Sequence, residues 1–273
     1  MAFVYILSSR VIQKAFDELS KKDVANLIST FKGNVLLCLY DRHGNHVIQK
    51  SITILSSMAK EARESGDDDL CSFFLSSLDP IIDEIVRSVE DLSQHSYGCR
   101  AVQRILEHCI EPQKTKILDS IIACQKKLLE DQYGNYVVQN VMTCGRQSDR
   151  DAIFKSITVN NSVVKFSTQK QASNVVEAML RLGDANQRQK IVQQMLDCFC
   201  VDQHYETESA VVSMSKNAYA NYVVKTALEV LEEGQQRDQL YSELLSNLAE
   251  LEVVPFAKHI VAKVKTYQPN PKD

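Results

Sequence analysis

The feature that most constrains the fold is a five-residue block that recurs seven times along the chain. Each block has a variable first and second residue, two aliphatic residues and, in six of the seven, a polar fifth residue. The blocks span 9–13, 45–49, 99–103, 135–139, 173–177, 221–225 and 258–262. Four of the six start-to-start spacings lie within two residues of 36, and the other two are 54 and 48. Helical units of this size bury their apolar faces only by stacking on one another, so the period predicts a curved superhelical solenoid.

The rest of the chain favours an all-α fold. It contains only five prolines and eight glycines, and its aliphatic residues recur at helical spacing without strand-and-turn alternation. Residues 22–31 and 34–40 are predicted to be the two helices that precede the block helix of their repeat. An aromatic-glycine pair before three of the blocks predicts a tightly packed helix entry: His43-Gly44, Tyr97-Gly98 and Tyr133-Gly134. The block is therefore expected near the N-terminus of its helix.

Composition excludes several classes of protein. No apolar run approaches the roughly 18 residues of a membrane span, and eight scattered cysteines form no CxxC pair that would indicate a zinc site or a disulfide framework. The sequence contains no phosphate-binding glycine loop, nucleophile elbow or metal triad, so we expect neither enzyme activity nor a cofactor or metal. The net charge of -4 argues against binding dominated by phosphates, and any binding of nucleic acid has to depend on the bases. We expect a cytoplasmic protein.

The block has the geometry of a base-binding element. On a helix its first and fifth residues lie one turn apart on the same side, the second flanks them by about 100°, and the third and fourth point into the stack. A polar pair can thus bind the edge of a base while a neighbouring side chain stacks on its face. Facing helices lie about 8–10 Å apart, whereas stacked bases advance about 3.4 Å. Bases bound one per repeat must therefore be splayed.

The polar pairs differ from block to block in ways that match different bases. Glu177, beside Ser173, offers only acceptors, and guanine alone presents two adjacent donors on its Watson-Crick edge. Amide pairs can both accept from and donate to uracil, and they are Asn45 with Gln49 and Asn135 with Gln139. Two further pairs combine an amide with a small residue that leaves room for adenine, flanked by an arginine that can stack on it. These are Cys99 with Gln103, beside Arg100, and Ser9 with Gln13, beside Arg10.

These residues resemble the base-reading triplets of Pumilio (PUF) repeats, and the resemblance extends from about residue 8 to residue 267. It implies a right-handed, crescent-shaped superhelix of three-helix repeats that binds single-stranded RNA antiparallel to the protein, with the core site 5′-UGUAUA-3′. The implied base-edge contacts are Ser9, Gln13, Asn45, Gln49, Cys99, Gln103, Asn135, Gln139, Ser173, Glu177, Asn221 and Lys225. The implied stacking residues are Arg10, His46, Arg100, Tyr136, Asn174 and Tyr222.

The resemblance also implies a role and partners. Proteins of this family act on 3′ untranslated regions of messenger RNA, in post-transcriptional repression or decay, and recruit protein corepressors on the convex face. Neither a membrane nor DNA is an expected partner. The competing hypothesis is a protein-binding solenoid of the armadillo or HEAT kind, which the acidic charge and the insertions favour. Such a groove gives no reason for Glu to follow Ser-Asn while Gln follows Cys-Arg, so we favour RNA binding.

The expected organisation is one domain over residues 1–273, with six base-reading repeats and a C-terminal capping repeat around 240–268. The long spacings predict insertions near 56–69, as a solvated loop or a frayed helix extension, and near 203–216. The first repeat lacks its leading helices, which predicts that the chain extends upstream or self-associates through residues 2–7.

Two blocks depart from the family pattern. Lys225 stands where an amide is expected, and because a lysine only donates, it leaves the N3-H of uracil unpaired. Specificity for the first base is therefore expected to be relaxed. The last block, with Lys258, His259 and Ala262, has no polar pair and is assigned no base.

Overall fold

The computed structural model describes residues 2–201 and 207–267, and the side chains of residues 9–200 and 207–267. Within these ranges the chain forms eighteen α-helices and a two-stranded sheet. The helices of the first half are α1 Ala2–Glu18, α2 Lys21–Ser29, α3 Val35–Tyr40, α4 Gly44–Glu64, α5 Asp68–Arg87, α6 Val89–Ser93, α7 Gly98–His108, α8 Gln113–Glu130 and α9 Gly134–Cys144. Those of the second half are α10 Gln147–Thr158, α11 Val163–Ser167, α12 Ala172–Leu182, α13 Ala185–Asp197, α14 Ala210–Lys216, α15 Ala220–Val230, α16 Gln235–Ser246, α17 Leu248–Glu252 and α18 Lys258–Lys265. The strands are β1 Phe199–Val201 and β2 Thr207–Ser209.

The helices repeat in threes, as the period predicts. The block helices are α1, α4, α7, α9, α12, α15 and α18, and a long helix and a short helix precede each of those after α1. In one repeat the first two helices are fused into the continuous 18-residue helix α8. The predictions for 22–31 and 34–40 correspond to α2 and α3. The all-α repeat solenoid is thereby confirmed.

The chain divides into two compact units, Met1–Asp149 and Arg150–Asp273. In the first unit α4 packs on α5 and α7, and α7 packs on α9. In the second unit α12 packs on α15, α13 on α16, and α15 on α18. Each unit thus builds its core from consecutive block helices and the helices that support them.

The two aliphatic residues of each block form the centre of these cores. From the block at 45 onward they are all buried, as in the pairs Val137-Val138 and Val223-Val224. The first block differs from the prediction, because Val11 is 66% exposed and Ile12 is half-buried. Among the described residues α1 packs chiefly against α4, and one side of this block is left exposed. The block also lies in the middle of α1 and not near its N-terminus, because α1 already begins at Ala2.

The first predicted insertion is helical. Helix α4 continues to Glu64 and has 21 residues, against 11 in each of α7, α9, α12 and α15. Its added turns bury Leu55, Ala59 and Ala62, and the helix packs on α5. The acidic run that follows starts α5, because the Asp67 side chain accepts the backbone N–H of Leu70 at 2.9 Å. Carboxylates in a first helical turn interact favourably with the helix dipole. The extra residues therefore lengthen two packed helices.

The range of the second predicted insertion, near 203–216, contains one strand and one short helix among its described residues. Its residues 203–206 lie outside the described residues. Residues 207–209 form β2, which pairs antiparallel with β1. Residues 210–216 form α14, the counterpart of the short helix α11 one repeat earlier, and therefore belong to the repeat. The range predicted for a capping repeat, around 240–268, contains most of α16 together with α17 and α18, and its residue 268 lies outside the described residues.

Glycine opens three of the block helices because the preceding short segment lies against them. A Cβ added to Gly98 would lie 2.6 Å from the carbonyl oxygen of Leu92, and one on Gly134 would lie 2.9 Å from Cα of Leu128. Such distances are too short for non-bonded atoms. The predicted structural role of these glycines in close helix packing is confirmed. Among the described residues, no helix is both long and apolar enough to cross a bilayer.

Candidate nucleic-acid interface

Four of the block helices, α4, α7, α9 and α15, are held at their N-termini by a side chain four residues before the block. The Asp41 carboxylate accepts the backbone N–H groups of His43 at 2.9 Å and Gly44 at 2.6 Å. These two hydrogen bonds, that of Gly44 first, lower the pKa of Asp41. The cap satisfies N–H groups that the first turn of a helix leaves unpaired.

The same cap recurs with other side chains. Asp131 accepts from the backbone of Tyr133 and Gly134 at 2.8 and 2.7 Å. Asn217 makes the corresponding bonds before the block at 221, and the Nδ1 atom of His95 makes them before the block at 99. These capping residues were not predicted from the sequence. The feature that could have revealed them is a side chain able to accept a hydrogen bond four residues before the block.

The first residue of each of the six blocks with a polar fifth residue is buried. The six are Ser9, Asn45, Cys99, Asn135, Ser173 and Asn221. Four of their side chains bond to backbone carbonyl groups of the preceding turn at 3.2 Å or less, those of Asn45, Asn135, Ser173 and Asn221. The Cys99 thiol makes a longer contact with the Ser96 carbonyl at 3.7 Å. Burial raises the pKa of that thiol.

The Asn-Gln pairs have a specific internal geometry. The Asn45 amide donates to the carbonyl groups of Asp41 and Arg42 at 2.9 and 2.8 Å, and its own oxygen accepts from Nε2 of Gln49 at 2.8 Å. Asn135 and Gln139 are arranged in the same way, with 2.9 Å between them. The asparagine therefore orients the glutamine, which keeps one carbonyl oxygen and one further N–H for a base. Both N–H groups of Asn45 are already used, so donation to a base would require it to exchange a partner, whereas its oxygen keeps one lone pair.

The second residue of the block points outward in five of the six repeats. Arg10, His46, Arg100, Tyr136 and Tyr222 are exposed. The two tyrosines are 52% and 50% exposed, so neither fills the core, and both present ring faces on which a base can stack. The sixth, Asn174, is half-buried and makes one long hydrogen bond of 3.5 Å to the Lys170 carbonyl.

The fifth residue is half-buried in all six blocks. The set is Gln13, Gln49, Gln103, Gln139, Glu177 and Lys225. Burial raises the pKa of Glu177, and a hydrogen bond from Thr226 and the charges of Arg181 and Lys225 oppose that rise. Lys225 lies 3.8 Å from Glu229 on its own helix. A partly desolvated polar group gains more free energy from a matching hydrogen-bond partner than a fully solvated group does.

In the first unit these residues come together along one cleft of about 600 Å³. Gln49, Cys99, Arg100, Gln103 and Tyr136, from three consecutive blocks, line it. In the second unit, the blocks at 173 and 221 are joined by a hydrogen bond between Thr226 and Glu177. The seventh block contributes His259, whose ring stacks on Tyr222. No three His, Cys, Asp or Glu side chains cluster as metal ligands in the part of the chain that the structure describes.

Comparisons with known proteins agree with this arrangement. Six segments match the Pumilio-family RNA binding repeat: residues 8–29, 40–59, 88–122, 128–158, 162–196 and 210–245. A Pumilio domain-containing protein of Schizosaccharomyces pombe is 27% identical over 266 residues, which cover 97% of this chain and 34% of that protein. Pumilio homology domain family member 4 of Saccharomyces cerevisiae is 30% identical over 217 residues, which cover 79% of this chain and 21% of that protein. The chain thus spans about a third or less of the length of these two relatives.

Two solved structures show the same fold. PUF-8 in complex with PBE-RNA superposes with a TM-score of 0.74 at 28% identity, over 96% of this chain and 69% of that one. The Puf3 RNA binding domain bound to a recognition sequence from the Cox17 RNA 3′ UTR has a TM-score of 0.75 at 29% identity, over 93% of this chain and 70% of that one. With six repeat matches in register with six polar blocks, the chain belongs to the Pumilio family of RNA-binding repeats.

Proposed function

We propose that this chain binds single-stranded RNA sequence-specifically, one base per repeat, with 5′-UGUAUA-3′ as its core site. The observation that carries the proposal is the common geometry of the six blocks: a buried first residue, a half-buried fifth residue and, in five of them, an exposed second residue. A packing surface alone does not require this pattern. The family membership supports it, as do the RNA ligands of the PUF-8 and Puf3 structures.

Each base is assigned to one block. Gln49 and Gln139, oriented by their asparagines, present one acceptor and one donor to a uracil edge. Glu177 presents two acceptor oxygens to the N1-H and N2-H groups of guanine. The smaller residues Cys99 and Ser9 leave room for adenine beside Gln103 and Gln13. Asn221 and Lys225 take the 5′ uracil.

Contacts to the bases supply enough binding free energy for tight RNA binding. Each base stacked on an aromatic or arginine side chain contributes roughly 1–3 kcal/mol, and a well-placed bidentate contact discriminates by a similar amount. Six such units reach nanomolar affinity after the cost of ordering the strand is subtracted.

The biological role we infer is post-transcriptional control, in which the chain binds 3′ untranslated regions of messenger RNA in the cytoplasm and promotes repression or decay. Family membership supports this, as does the 3′ UTR ligand of the Puf3 structure. Corepressor proteins are the proposed further partners.

Fluorescence anisotropy with labelled UGUAUA RNA, beside the same RNA carrying G to C at the second position, tests the proposal. Tight binding that this one change abolishes is expected.

Glu177→Gln should reduce the preference for G, because an amide replaces one of the two acceptors with a donor. Glu64→Gln, which makes the same change of charge at an exposed position at the end of α4, is the matched control and should bind like the wild type. Equal or absent binding to both RNAs would leave a protein-binding solenoid as the function.

A further inference from the structure

The residue directly after the block links consecutive block helices. Lys50, on α4, bonds to the carboxylate of Asp17 on α1 at 2.7 Å. Asn140, on α9, donates to the carboxylate of Glu107 on α7 at 3.0 Å. In both cases the partner lies eight residues after the start of the preceding block. These side chains tie one repeat to the next beside the candidate base-reading residues.

Thr226 occupies the same position on α15, and its contacts extend further. Its side chain is fully buried. The hydroxyl donates to Oε2 of Glu177 at 3.2 Å and accepts from Nη2 of Arg181 at 3.1 Å. Arg181 is the residue that corresponds to Asp17 and Glu107 in the other links. In this repeat the link therefore also reaches the fifth residue of the preceding block.

The direction of these hydrogen bonds is fixed by chemistry. An arginine only donates, so the threonine oxygen must accept from Arg181, and its single proton is then directed at Glu177. Arg181 is held in turn by Glu229, whose carboxylate lies 3.2 Å from it. The hydroxyl thus acts as an oriented donor toward one carboxylate oxygen.

We propose that Thr226 is a positioning residue for guanine recognition, which holds the Glu177 carboxylate in one orientation with its remaining lone pairs directed at the base. The inference rests on the proposed function, because it assigns Glu177 to guanine. A carboxylate offers about four acceptor positions. Thr226 occupies one from the protein side, and the two oxygens keep enough positions for the two donors of guanine. The fixed orientation reduces the entropy lost on binding.

The same contact favours the ionised form of Glu177, which burial disfavours. Burial raises its pKa, and the hydrogen bond from Thr226 is the largest influence in the opposite direction, followed by the charges of Arg181 and Lys225. Glu229 raises the pKa further, but Arg181, Lys225 and Lys263 lie around Glu229 at 3.2, 3.8 and 4.0 Å and offset its charge. A protonated Glu177 offers guanine one acceptor fewer, so binding of guanine should weaken as pH falls through this pKa.

The test is Thr226→Val, which removes the hydroxyl and keeps the shape. Affinities for UGUAUA and UAUAUA RNA are measured by anisotropy with wild type, Thr226→Val, Thr226→Ser and Thr158→Val. Thr158 is the matched control, because it is buried in the same unit and its hydroxyl bonds to the Phe154 carbonyl of its own helix, at 2.9 Å. We expect Thr226→Val to bind the guanine RNA about tenfold or more weakly, the usual effect of losing a hydrogen bond to a charged group. The adenine RNA should change less than twofold, Thr226→Ser should restore selectivity, and Thr158→Val should retain it.

A pH profile separates positioning from a packing defect. The pH at which guanine binding is half lost should be higher in Thr226→Val than in the wild type, because the ionised carboxylate has lost a donor. Should Thr226→Val fail to fold by circular dichroism, Arg181→Met removes the group that orients the hydroxyl and should lower guanine selectivity severalfold. Unchanged selectivity and an unchanged pH profile would overturn the inference while the wild type still prefers guanine. A wild type without that preference would instead overturn the proposed function.

Discussion

The rings of Tyr222 and His259 stack with their centroids 5.5 Å apart and their planes 19° from parallel. The two residues are the second residues of the sixth and seventh blocks, on α15 and α18. A base between two rings needs about twice the 3.4 Å stacking distance, so these rings have to separate to admit one. Helix α18 therefore supports Tyr222 from one side through His259, while the tyrosine ring remains half exposed.

Tyr222→Ala should weaken RNA binding through the base at the 5′ end alone. Loss of one aromatic stacking platform costs about 1–3 kcal/mol, which corresponds to roughly five- to 150-fold in affinity. Anisotropy with UGUAUA RNA measures the loss. The control is the same RNA without its first nucleotide, which wild type and variant should bind equally. A similar loss with both RNAs would show that the tyrosine supports the fold and not the base.

Lys225→Gln should sharpen the choice of the first base. The substitution recreates beside Asn221 the arrangement of Asn45 with Gln49, in which the amides are 2.8 Å apart, and it supplies the acceptor that lysine lacks. We expect the wild type to distinguish U from C weakly at this position and the variant to favour U by about 1–3 kcal/mol. Competition binding with the two RNAs measures the difference. Strong discrimination by the wild type would contradict the role assigned to Lys225.

Asp41 should contribute to stability in a pH-dependent way. Its pKa in the folded protein is lowered, so its contribution is complete above the ordinary carboxyl pKa and is lost as pH falls through the lowered value. Asp41→Ala should cost about 1 kcal/mol at neutral pH, the usual effect of losing an N-cap. Asp41→Asn should keep most of the cap, because Asn217 makes the same bonds elsewhere.

Urea unfolding of the three proteins at pH 7 and pH 3 checks this. The difference in stability between wild type and Asp41→Asn should depend on pH, and the difference between the two variants should not. A pH-independent wild-type advantage would exclude titration of Asp41 as the cause.

Gly134→Ala should destabilise the first unit. The new Cβ would lie 2.9 Å from Cα of Leu128, and overpacking of this kind costs about 1–3 kcal/mol. Ala220 holds the equivalent position before the block at 221, where Ala220→Gly should cost about 0.5–1 kcal/mol through backbone entropy. At this one position, adding a methyl group therefore destabilises the repeat with Gly134, and removing a methyl group destabilises the repeat with Ala220. Stability of Gly134→Ala equal to that of the wild type would show that α8 and α9 can separate at no cost.

RNA binding should depend weakly on salt. With a net charge of -4 and contacts made mainly to bases, few phosphates are neutralised. Full neutralisation of a strand gives a log-log slope of about -0.7 per phosphate, and the slope over six nucleotides should lie well short of that. Titrations between low and moderate salt measure it, and a slope near the full value would show that phosphate contacts dominate.

The repeat period predicted the positions of the helices closely. The same spacing determines where a helix lies within its repeat and how it packs on the neighbouring repeats. The segments 22–31 and 34–40 correspond to Lys21–Ser29 and Val35–Tyr40. The exposure of Val11 was not predictable from its block, since burial depends on a covering helix and not on the residue itself. The spacing between two blocks shows how many residues exceed the usual period but not where they lie. The sequence prediction therefore placed the helix 210–216 within an insertion.

The side chains that support the block were harder to find. Asp41, His95, Asp131 and Asn217 perform one function with three chemistries, so no common residue type marks the position. The links made by Lys50, Asn140 and Thr226 are equally varied, because each is matched to a partner on another helix and not to a local pattern. Their partners are 33 to 49 residues away in the chain, which a motif search within one repeat does not reach.

The hydrogen bond from Thr226 to Glu177 crosses from one repeat to the next, and this affects how such an array can be rearranged. A repeat transplanted to a new place carries its own candidate base-reading residues but leaves behind the neighbour's side chain that bonds to one of them. For the repeat with Glu177, the transferable module is then a pair of adjacent repeats, and gene duplication or engineering that shuffles single repeats would separate the carboxylate from its hydroxyl.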